Sequence, residues 1–509
     1  MPEQGSPPAG SRAGGALALA LAAALVLAFF VAVWVTLGAV RIFCFTSVDS
    51  FWLVETGRVI LGEKRLPAGD VFSFTCRGAP WVIYQWLFEI VAGLIDRGGG
   101  LPALQSLVLC LFALTFGVAA LRGMMRRGVS FAVAWLVCAT AAFASLTFVT
   151  LRPQLVTMLF MYAAQRLLDS HWRSASFKVL WLVPLFLIWA NIHIMFAIGL
   201  AAVFLYWLCS LAAWFAGRGR KGADTRARRA RLAGVAAVLS MAASLANPYG
   251  WGIFTYGLQV SNQGFWTRQI GEVLQPEFND PLLALILNYI LLTVLSFMVS
   301  RRRPSLPEGL VYLSLLGAGL TSYKLLPLFV SATMHGTGLR LQEAFARLDR
   351  SGRLPVPGPV RQAFASAGRW FMTPFYPAAI LIVAATYGLT RPVLLPPWLP
   401  LRAADYLSEH PAGRRLFCSA KFGSYLIYRF RGRLPVFIDT RFDLYGPAFA
   451  ARYFAAHRMG VGWDDLVKEY ALDGAIVQAQ AGIAAYLRHN PRWREVYEDG
   501  QAAIFVPAP

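Results

Sequence analysis

The stretch VLWLVPLFLIWANIHIMFAIGLAAVFLYWLCSLAAWFA, residues Val179–Ala216, runs for 38 residues without an Asp, Glu, Lys or Arg. A helix needs about 20 such residues to cross a bilayer, so this stretch is long enough for two passes. A second apolar run, Ala13–Val40, is too long for the apolar core of a cleaved signal peptide and predicts a retained anchor. The sequence therefore predicts an α-helical protein that crosses the membrane several times.

The composition of the whole chain agrees with this class. Of 509 residues, 57% are hydrophobic and only 14% are charged, against roughly half and a quarter in soluble proteins. Further apolar runs bring the prediction to roughly 11–12 spans; they are Leu101–Leu121, Phe131–Phe148, Leu155–Leu168, Leu232–Ala246, Pro281–Val299, Leu310–Leu320, Leu325–Met334 and Phe371–Leu389.

The net charge of +21 would suit a nucleic-acid binder, but its distribution indicates membrane orientation instead. Basic residues collect in short loops between the apolar runs, namely Arg122–Arg127, Gly217–Arg231, Arg301–Arg303 and Arg340–Arg369. Such loops face the cytoplasm. The region from Leu401 onward holds 14 basic and 11 acidic residues, so we expect it outside. The predicted partner is the lipid bilayer, and no nucleic-acid partner is predicted.

We divide the chain into six segments by composition. They are an N-terminal tail with the first span (residues 1–40), an extracytoplasmic loop with interfacial helices (41–100), a transmembrane core (101–338), a basic cytoplasmic linker (339–370), the last span (371–394) and an extracytoplasmic α/β domain (395–509). Tyr84–Ile95 fits two interpretations. As a re-entrant or interfacial helix it keeps the basic loops inside, and as a true span it moves every later loop to the other side.

The C-terminal domain shows alternating helix and strand patterns, which are typical of a small α/β fold. We expect helices near Ala403–His410, Pro447–His457 and Trp463–Tyr470, and strands near Arg415–Ser419, Pro435–Asp439, Ala475–Gln478, Glu495–Tyr497 and Ala503–Val506.

Four carboxylates of segment 41–100, which we call the outer loop, are candidates for chemistry: Asp49, Glu55, Asp70 and Glu89. A carboxylate beside the membrane can activate an acceptor hydroxyl or hold a divalent cation, and the sequence leaves the cofactor undecided. The alternative is a solvated loop carboxylate or helix cap, and Asp70 also fits a turn. We take Asp49, Asp70 and Glu55 as catalytic candidates and Glu89 as a substrate-binding candidate.

Five polar residues interrupt the apolar runs and are substrate-binding candidates: Arg152, Gln154, Asn191, His193 and Lys324. Polar groups at membrane depth usually line a cavity or pair with each other. Arg152 and Lys324 could hold a lipid-linked phosphate, or they could lie at helix ends and extend to the interface. His193 also fits an interhelical hydrogen bond.

In the C-terminal domain, Asp439, Arg441 and Asp443 follow an apolar run, where open α/β sheets commonly bind ligands. A structural ion-pair network is the alternative. The chain contains no GxGxxG, Walker, HExxH, CxxC or GxSxG pattern, so the sequence does not support a nucleotide, cysteine-zinc or serine-hydrolase site.

Six motifs spread along most of the chain carry a resemblance to a known superfamily. They are D-SFW-xxx-TG-xx-I at Asp49–Ile60, P-xx-D-x-FSFT-xx-G-xx-W-xxxx-WL-x-E at Pro67–Glu89, LRPQ at Leu151–Gln154, WANIH at Trp189–His193, NPYG at Asn247–Gly250 and VFID-x-R-x-DLYG at Val436–Gly446. With these motifs the chain resembles the GT-C superfamily of membrane glycosyltransferases, in a bacterial branch with a C-terminal globular domain. The resemblance implies a location in a bacterial inner membrane.

The resemblance implies inverting transfer of a sugar from a polyprenyl-phosphate-linked donor, outside the cytoplasm, with an essential acidic residue in the first outer loop. That residue corresponds to Asp49, with Asp70 as a second candidate. The chain departs from the superfamily pattern at Ser47, where an Asp often stands, at Leu53, where a His is common, and at Lys324, which replaces an Arg. These departures weaken the case for a metal and leave a non-catalytic member open.

The sequence thus favours an enzyme that transfers a sugar to an envelope acceptor. The alternative is a non-enzymatic membrane protein, either a transporter-like lipid carrier or a partner in envelope polysaccharide assembly. Transporters commonly carry inverted repeats, and no corresponding halves are visible in the sequence.

Overall fold

The computed structural model describes residues 47–262, 276, 281–351 and 357–509, with side chains for 47–259, 276, 283–351 and 357–509. The predicted anchor Ala13–Val40 lies outside these residues. The first part of the described chain is helical: α1 Asp49–Glu63, α2 Trp86–Phe112, α3 Leu121–Met125, α4 Phe131–Ala144, α5 Gln154–Ser174, α6 Leu182–Ile192, α7 Phe196–Ala216 and α8 Ala223–Ser244. A π-helical stretch, Ala113–Ala120, joins α2 to α3, and short 3₁₀ turns cover Leu146–Phe148 and Phe177–Trp181.

The helical part continues to residue 390. Its remaining elements are α9 Gly252–Asn262, α10 Pro281–Val299, α11 Leu306–Thr321, a 3₁₀ turn at Tyr323–Leu325, α12 Leu326–Arg350, α13 Gly358–Phe371 and α14 Phe375–Thr390.

Two of the described helical segments are long and apolar enough to cross a membrane, Trp86–Met125 and Phe196–Ala216. Helices α13 and α14 are bent by 77° where they meet, and together they would make a third candidate span if they form one broken helix. Shorter apolar helices include Phe131–Ala144 and Leu306–Thr321. The total of 11–12 spans therefore stays a prediction. Tyr84–Ile95 mostly falls in α2, which is kinked at Gly100 before it continues toward Met125, so its two interpretations also stay open.

Helices α1 and α2 cross at backbone contact. A Cβ added to Gly57 would lie 1.8 Å from the carbonyl oxygen of Glu89, and one added to Gly93 would lie 2.7 Å from the carbonyl carbon of Gly57. Only glycine permits so close an approach of two backbones. This crossing holds α1, which begins at Asp49, firmly against the long apolar helix.

The segment expected to be a linker, residues 339–370, is largely helical. Helix α12 runs on to Arg350, and Arg340 is buried in it. The Arg340 guanidinium contacts Glu308 of α11 at 3.2 Å and Ser296 of α10 at 3.1 Å. The Glu308 carboxylate balances the charge of Arg340, so this arginine can be buried within a helix. The start of the predicted linker is therefore part of α12.

The C-terminal region combines helices with a small four-stranded sheet. Its elements are α15 Leu401–Glu409, β1 Leu416–Cys418, α16 Ala420–Arg429, α17 Phe442–Met459, α18 Trp463–Tyr470, β2 Gly474–Gln478, α19 Gly482–His489, β3 Trp493–Glu498 and β4 Ala502–Pro507. The sheet order is β1-β2-β4-β3; β1 and β2 are parallel, and the other pairs are antiparallel. The sequence did not predict α16 and α19.

The expected strand Pro435–Asp439 does not join the sheet. Its backbone pairs instead with the outer loop, since Val436 N donates to Phe72 O at 2.9 Å and Phe74 N donates to Val436 O at 3.1 Å. The loop provides the backbone partners that a sheet neighbour would have provided. This pairing brings the outer loop and the C-terminal domain together at the candidate site.

Candidate functional site

Asp49 lies at the contact between the helical part and the C-terminal domain. It is in the first turn of α1, where the helix dipole favours a negative charge. Its carboxylate contacts the Arg152 guanidinium at 2.8 Å and accepts hydrogen bonds from Thr440 Oγ1 at 2.5 Å and Trp52 Nε1 at 3.3 Å. The Asp49 and Arg152 side chains remain 21% and 25% exposed. The outer loop, the apolar helices and the C-terminal domain thus each contribute to one charged centre.

Two cavities meet at Asp49. One, which we call the tail-side cavity, has a volume of about 630 Å³ and extends to the C-terminal domain. The other, the helix-side cavity, has a volume of about 530 Å³ and lies among the helices. The residues that line both form what we call the junction: Asp49, Trp52, Tyr84, Gln85, Arg152, Lys324 and Asp443. Two carboxylates and two cations therefore face the point where the cavities join.

The walls of the two cavities differ in chemistry. The helix-side cavity is lined beyond the junction mainly by apolar side chains, including Ile194, Phe196, Ile198, Ile253, Phe254 and Leu258. The tail-side cavity adds polar side chains of the C-terminal domain, among them Ser419, Lys421, His457 and Gln478. One compartment thus suits a hydrocarbon chain and the other suits a polar group.

Three of the predicted membrane residues lie together beside the junction. Gln154 Nε2 donates to the backbone oxygen of Lys324 at 2.9 Å, which links α5 to the turn that carries the lysine. Gln154 and His193 both line the helix-side cavity. His193 Nδ1 lies 2.8 Å from Thr157 Oγ1, the interhelical contact that its position suggested.

Asp70, Asp439 and Arg441 form a buried ion cluster rather than part of the junction. The Arg441 guanidinium contacts Asp70 at 2.8 Å and binds Asp439 through two nitrogens at 2.9 and 2.6 Å. Tyr445 donates to Asp439 at 2.8 Å. Although burial disfavours the charge, the neighbouring Asp439 carboxylate raises the pKa of Arg441 well above its ordinary value. The cluster holds the outer loop to the C-terminal domain.

Asp70 is also bound within its own turn. Its carboxylate accepts hydrogen bonds from the backbone of Phe72 at 3.2 Å and Ser73 at 2.9 Å, the turn role that its position suggested. It does not line either cavity, whereas Arg441 lines the tail-side cavity.

Glu55 belongs to a second buried network on the other side of α1. It contacts Arg58 at 2.8 Å, and the Arg58 Nε donates to Asp96 at 2.6 Å. Tyr428 of the C-terminal domain also donates to Asp96, at 3.0 Å. Burial raises the pKa of Glu55, while the hydrogen bond from Arg58 opposes this shift. Glu55 lines neither cavity, so the structure does not bring it to Asp49.

Asn191 and Glu89 have contrasting surroundings. Asn191 accepts from Trp86 Nε1 at 2.9 Å and donates to the backbone oxygens of Leu187 and Ala246 at 2.8 and 2.9 Å, so it joins α6 to its neighbours. Glu89 is fully buried in the wall of the tail-side cavity, which Gln85 also lines.

Asp443 is the residue of the C-terminal candidate set that reaches the junction. It accepts a hydrogen bond from Tyr256 of α9, and the ring of Tyr256 packs 5.7 Å from that of Tyr84. Burial raises the pKa of Asp443, although the hydrogen bond from Tyr256 acts in the opposite direction.

Sequence reasoning missed several residues of the site. Thr440 donates to Asp49, but it is an uncharged residue between Asp439 and Arg441, and no sequence pattern distinguishes it. Ser419, His457 and Gln478 come together from three separate elements of the C-terminal domain. For Ser419 and Gln478 a signal existed, since each stands at the carboxyl end of a parallel strand.

The metal-ligating side chains of the described residues are not arranged to hold a divalent cation. Nowhere in that part of the chain do three His, Cys, Asp or Glu side chains come close enough to hold a metal ion. The carboxylate oxygens of Asp49 already face Arg152 and Thr440. We therefore derive no step of the chemistry through a metal.

No protein-family model matches the chain. No curated protein sequence matches it either. Among solved structures, the crystal structure of the Archaeoglobus fulgidus oligosaccharyltransferase in the apo form is similar to this chain, with a TM-score of 0.49 and 10% sequence identity. The match covers 91% of this chain and 70% of that one. At this level of similarity the activity has to be argued from the site.

Proposed function

We propose that the protein is a membrane glycosyltransferase that moves a sugar from a polyprenyl-phosphate-linked donor to an envelope acceptor at the extracytoplasmic face. The observation that carries this proposal is the junction, where Asp49, Arg152 and Lys324 face the meeting point of a mainly apolar cavity and a cavity whose wall carries more polar side chains. A lipid-linked sugar has a hydrocarbon chain, a phosphate and a polar sugar. The chain suits the helix-side cavity, the phosphate suits the two cations of the junction, and the sugar suits the polar side chains of the tail-side cavity.

The donor would bind with its lipid in the helix-side cavity and its phosphate at Arg152 and Lys324. A guanidinium offers a fork of donors to phosphate oxygens, and an ammonium adds a point charge. Because Arg152 contacts Asp49 in the structure, a phosphate arriving there would compete with that carboxylate. Donor binding would therefore release Asp49 for the acceptor.

The transfer would proceed by displacement at the anomeric carbon. The acceptor oxygen forms a bond to that carbon while the bond from the carbon to the phosphate oxygen breaks, and its electron pair leaves with the phosphate. The acceptor proton passes to the Asp49 carboxylate, and Arg152 and Lys324 balance the charge that develops on the phosphate. The acceptor approaches from the tail-side cavity, opposite the lipid.

Replacement of Asp49 by Asn tests the proposal. The variant keeps the size of the side chain and an acceptor for the Thr440 hydroxyl, but it removes the base. We expect transfer to fall about 10²- to 10⁴-fold. Since the Asp49–Arg152 pair is partly exposed, its loss should cost only about 1 kcal/mol of stability. The measurement is the pool of lipid-linked sugars and envelope glycans in cells that lack the gene and carry either form.

Glu63→Gln is the matched control, because Glu63 ends the same helix and its side chain is 44% exposed. The control should restore the glycans as wild type does. Full restoration by Asp49→Asn at equal abundance would refute the proposed role. If lipid-linked sugars changed sides of the membrane without being consumed, the lipid-carrier alternative would replace the enzyme.

A further inference from the structure

A cluster of polar side chains outside the junction lies at the ends of two strands of the C-terminal domain. Ser419 directly follows β1, Gln478 ends β2, and His457 lies near the end of α17. Ser419 Oγ lies 2.8 Å from His457 Nε2 and donates to Gln478 Oε1, which is 3.0 Å from the same ring nitrogen. We call these three residues the strand-end cluster.

The strand-end cluster faces the same cavity as Asp49. All three of its residues line the tail-side cavity. Thr440, whose hydroxyl donates to Asp49 at 2.5 Å, lines this cavity as well. A molecule in the tail-side cavity can therefore face both the strand-end cluster and Asp49.

The chemistry around the cluster suits a neutral carbohydrate. A serine hydroxyl, an imidazole and a carboxamide offer both donors and acceptors, as sugar hydroxyls require. Aromatic side chains of the C-terminal region, among them Trp398, Tyr453 and Phe454, line the same cavity. Aromatic faces provide apolar contact area for the C–H faces of a sugar ring, while the polar groups fix its orientation.

The charge of this wall disfavours a polyanionic acceptor. The residues of the C-terminal domain that line the cavity include two cations, Lys421 and Arg441, and one carboxylate, Asp443. Arg441 is buried and balanced by Asp70 and Asp439. The remaining lysine is exposed and lies 5.5 Å from the centre of the Trp398 ring, so it does not form a phosphate cluster.

An extended peptide is also disfavoured, because it would need a bare strand edge to pair with. The free side of β1 is covered by the segment 436–438. Cys418 Sγ contacts the carbonyl oxygen of Ile438 at 3.3 Å, and the rings of Phe417 and Phe437 pack at 4.8 Å.

We propose that the strand-end cluster is the acceptor subsite and that the acceptor is a neutral glycan, held by Ser419, His457 and Gln478 with a hydroxyl directed toward Asp49. This inference rests on the proposed glycosyl transfer and names the acceptor class for it. Here the C-terminal domain selects the acceptor, while the helical part holds the donor.

Direct binding tests the subsite without requiring transfer. The full chain in lipid nanodiscs is titrated with neutral di-, tri- and tetrasaccharides of hexose and N-acetylhexosamine, and binding is followed by saturation-transfer difference NMR. At least one of these probes should bind saturably to wild type. Ser419→Ala and Gln478→Leu should each weaken that binding about 5- to 10-fold, as expected for one lost hydrogen bond.

Two matched variants control for general effects on the C-terminal domain. Ser408→Ala removes a hydroxyl that bonds within α15, and His489→Gln alters an exposed histidine of α19; neither residue lines the cavity. Both should bind the saccharide as wild type does, and all variants should keep the wild-type melting temperature within a few degrees.

The binding result is separate from the test of transfer. Asp49→Asn should bind the saccharide normally while losing transfer; if it kept both, the proposed function would fail and the subsite would stand. The subsite is refuted if no neutral saccharide binds wild type saturably, or if binding is insensitive to Ser419→Ala and Gln478→Leu. Selective binding of a phosphorylated glycolipid or an unglycosylated peptide in parallel titrations would refute the neutral-glycan assignment.

Discussion

Replacement of Arg441 by Leu should detach the outer loop from the C-terminal domain. The guanidinium is the partner of two buried carboxylates, Asp70 and Asp439, which are 2% and 0% exposed. Without it these two negative charges would face each other away from water. Removing one member of a buried ion pair costs about 3–5 kcal/mol, and here two carboxylates lose their partner, so we expect at least the lower value.

Amide hydrogen exchange at the loop–domain contact measures this cost. The amides of Phe74 and Val436 donate across the contact, so they exchange when the loop opens. A loss of 3–5 kcal/mol corresponds to roughly 100- to 4,000-fold faster exchange, at about 1.4 kcal/mol per factor of ten. The assay is exchange mass spectrometry on peptides that contain these amides, with the protein in nanodiscs.

Arg429→Leu is the control for that experiment. Arg429 pairs with Asp405 at 2.9 Å, but the two side chains are 40% and 63% exposed. Such a surface pair contributes about 0–1 kcal/mol, so exchange at the contact should stay within about fivefold of wild type. If Arg441→Leu and Arg429→Leu gave the same small change, the buried cluster would not hold the loop, and the reasoning would be wrong.

Three further predictions follow from local geometry. Gly57→Ala would place a Cβ 1.8 Å from the Glu89 carbonyl oxygen and should lower the free energy of unfolding by about 1–3 kcal/mol. The control is Gly62→Ala, whose Cβ would meet nothing within 4 Å and which should raise the free energy of unfolding by up to about 1 kcal/mol. Melting curves of the two variants measure the difference. Burial raises the pKa of Asp443 above 3.8, so the folded protein holds that proton more tightly than the unfolded chain and loses stability as pH rises above about 4. The melting temperature of Asp443→Asn should therefore rise relative to wild type as the pH is raised above about 4, and a falling difference would contradict the assignment. Lys324→Met should raise the KM for the lipid-linked donor about tenfold or more, and steady-state kinetics with an unchanged KM would remove Lys324 from the phosphate site.

The sequence predicts the polar residues of the helical part well because the bilayer makes them conspicuous. A charged or amide side chain in a long apolar run is costly unless it has a partner or a cavity. This argument selects Arg152, Gln154, Asn191, His193 and Lys324 as substrate-binding candidates, and all of them except Asn191 line the helix-side cavity. For Arg340 a different rule, the clustering of basic residues in cytoplasmic loops, predicts a linker, because the sequence does not show that Glu308 lies beside it.

The C-terminal domain was harder to predict because its contribution depends on contacts between distant parts of the chain. Its alternating patterns predict several of the strands and helices, since those patterns follow from burial on one face. The apolar run before Asp439 has the same pattern, yet its partner is the outer loop, more than 350 positions earlier. No local pattern indicates whether the segment 435–439 will pair with the sheet of the C-terminal domain or with the outer loop.

The pairing of loop and domain also decides what each acidic residue can do. Asp49, Asp70 and Asp439 are equivalent candidates by residue type, and the motif resemblance favours the first. In the structure Asp70 and Asp439 share one buried arginine, so both carboxylates are already ion-paired within the protein. Asp49 instead faces a partly exposed arginine at the meeting point of two cavities, where a phosphate can replace it as the partner of that arginine. Because only an exchangeable ion pair leaves a carboxylate free to accept a proton when substrate binds, the geometry favours Asp49 as the base over the two buried carboxylates.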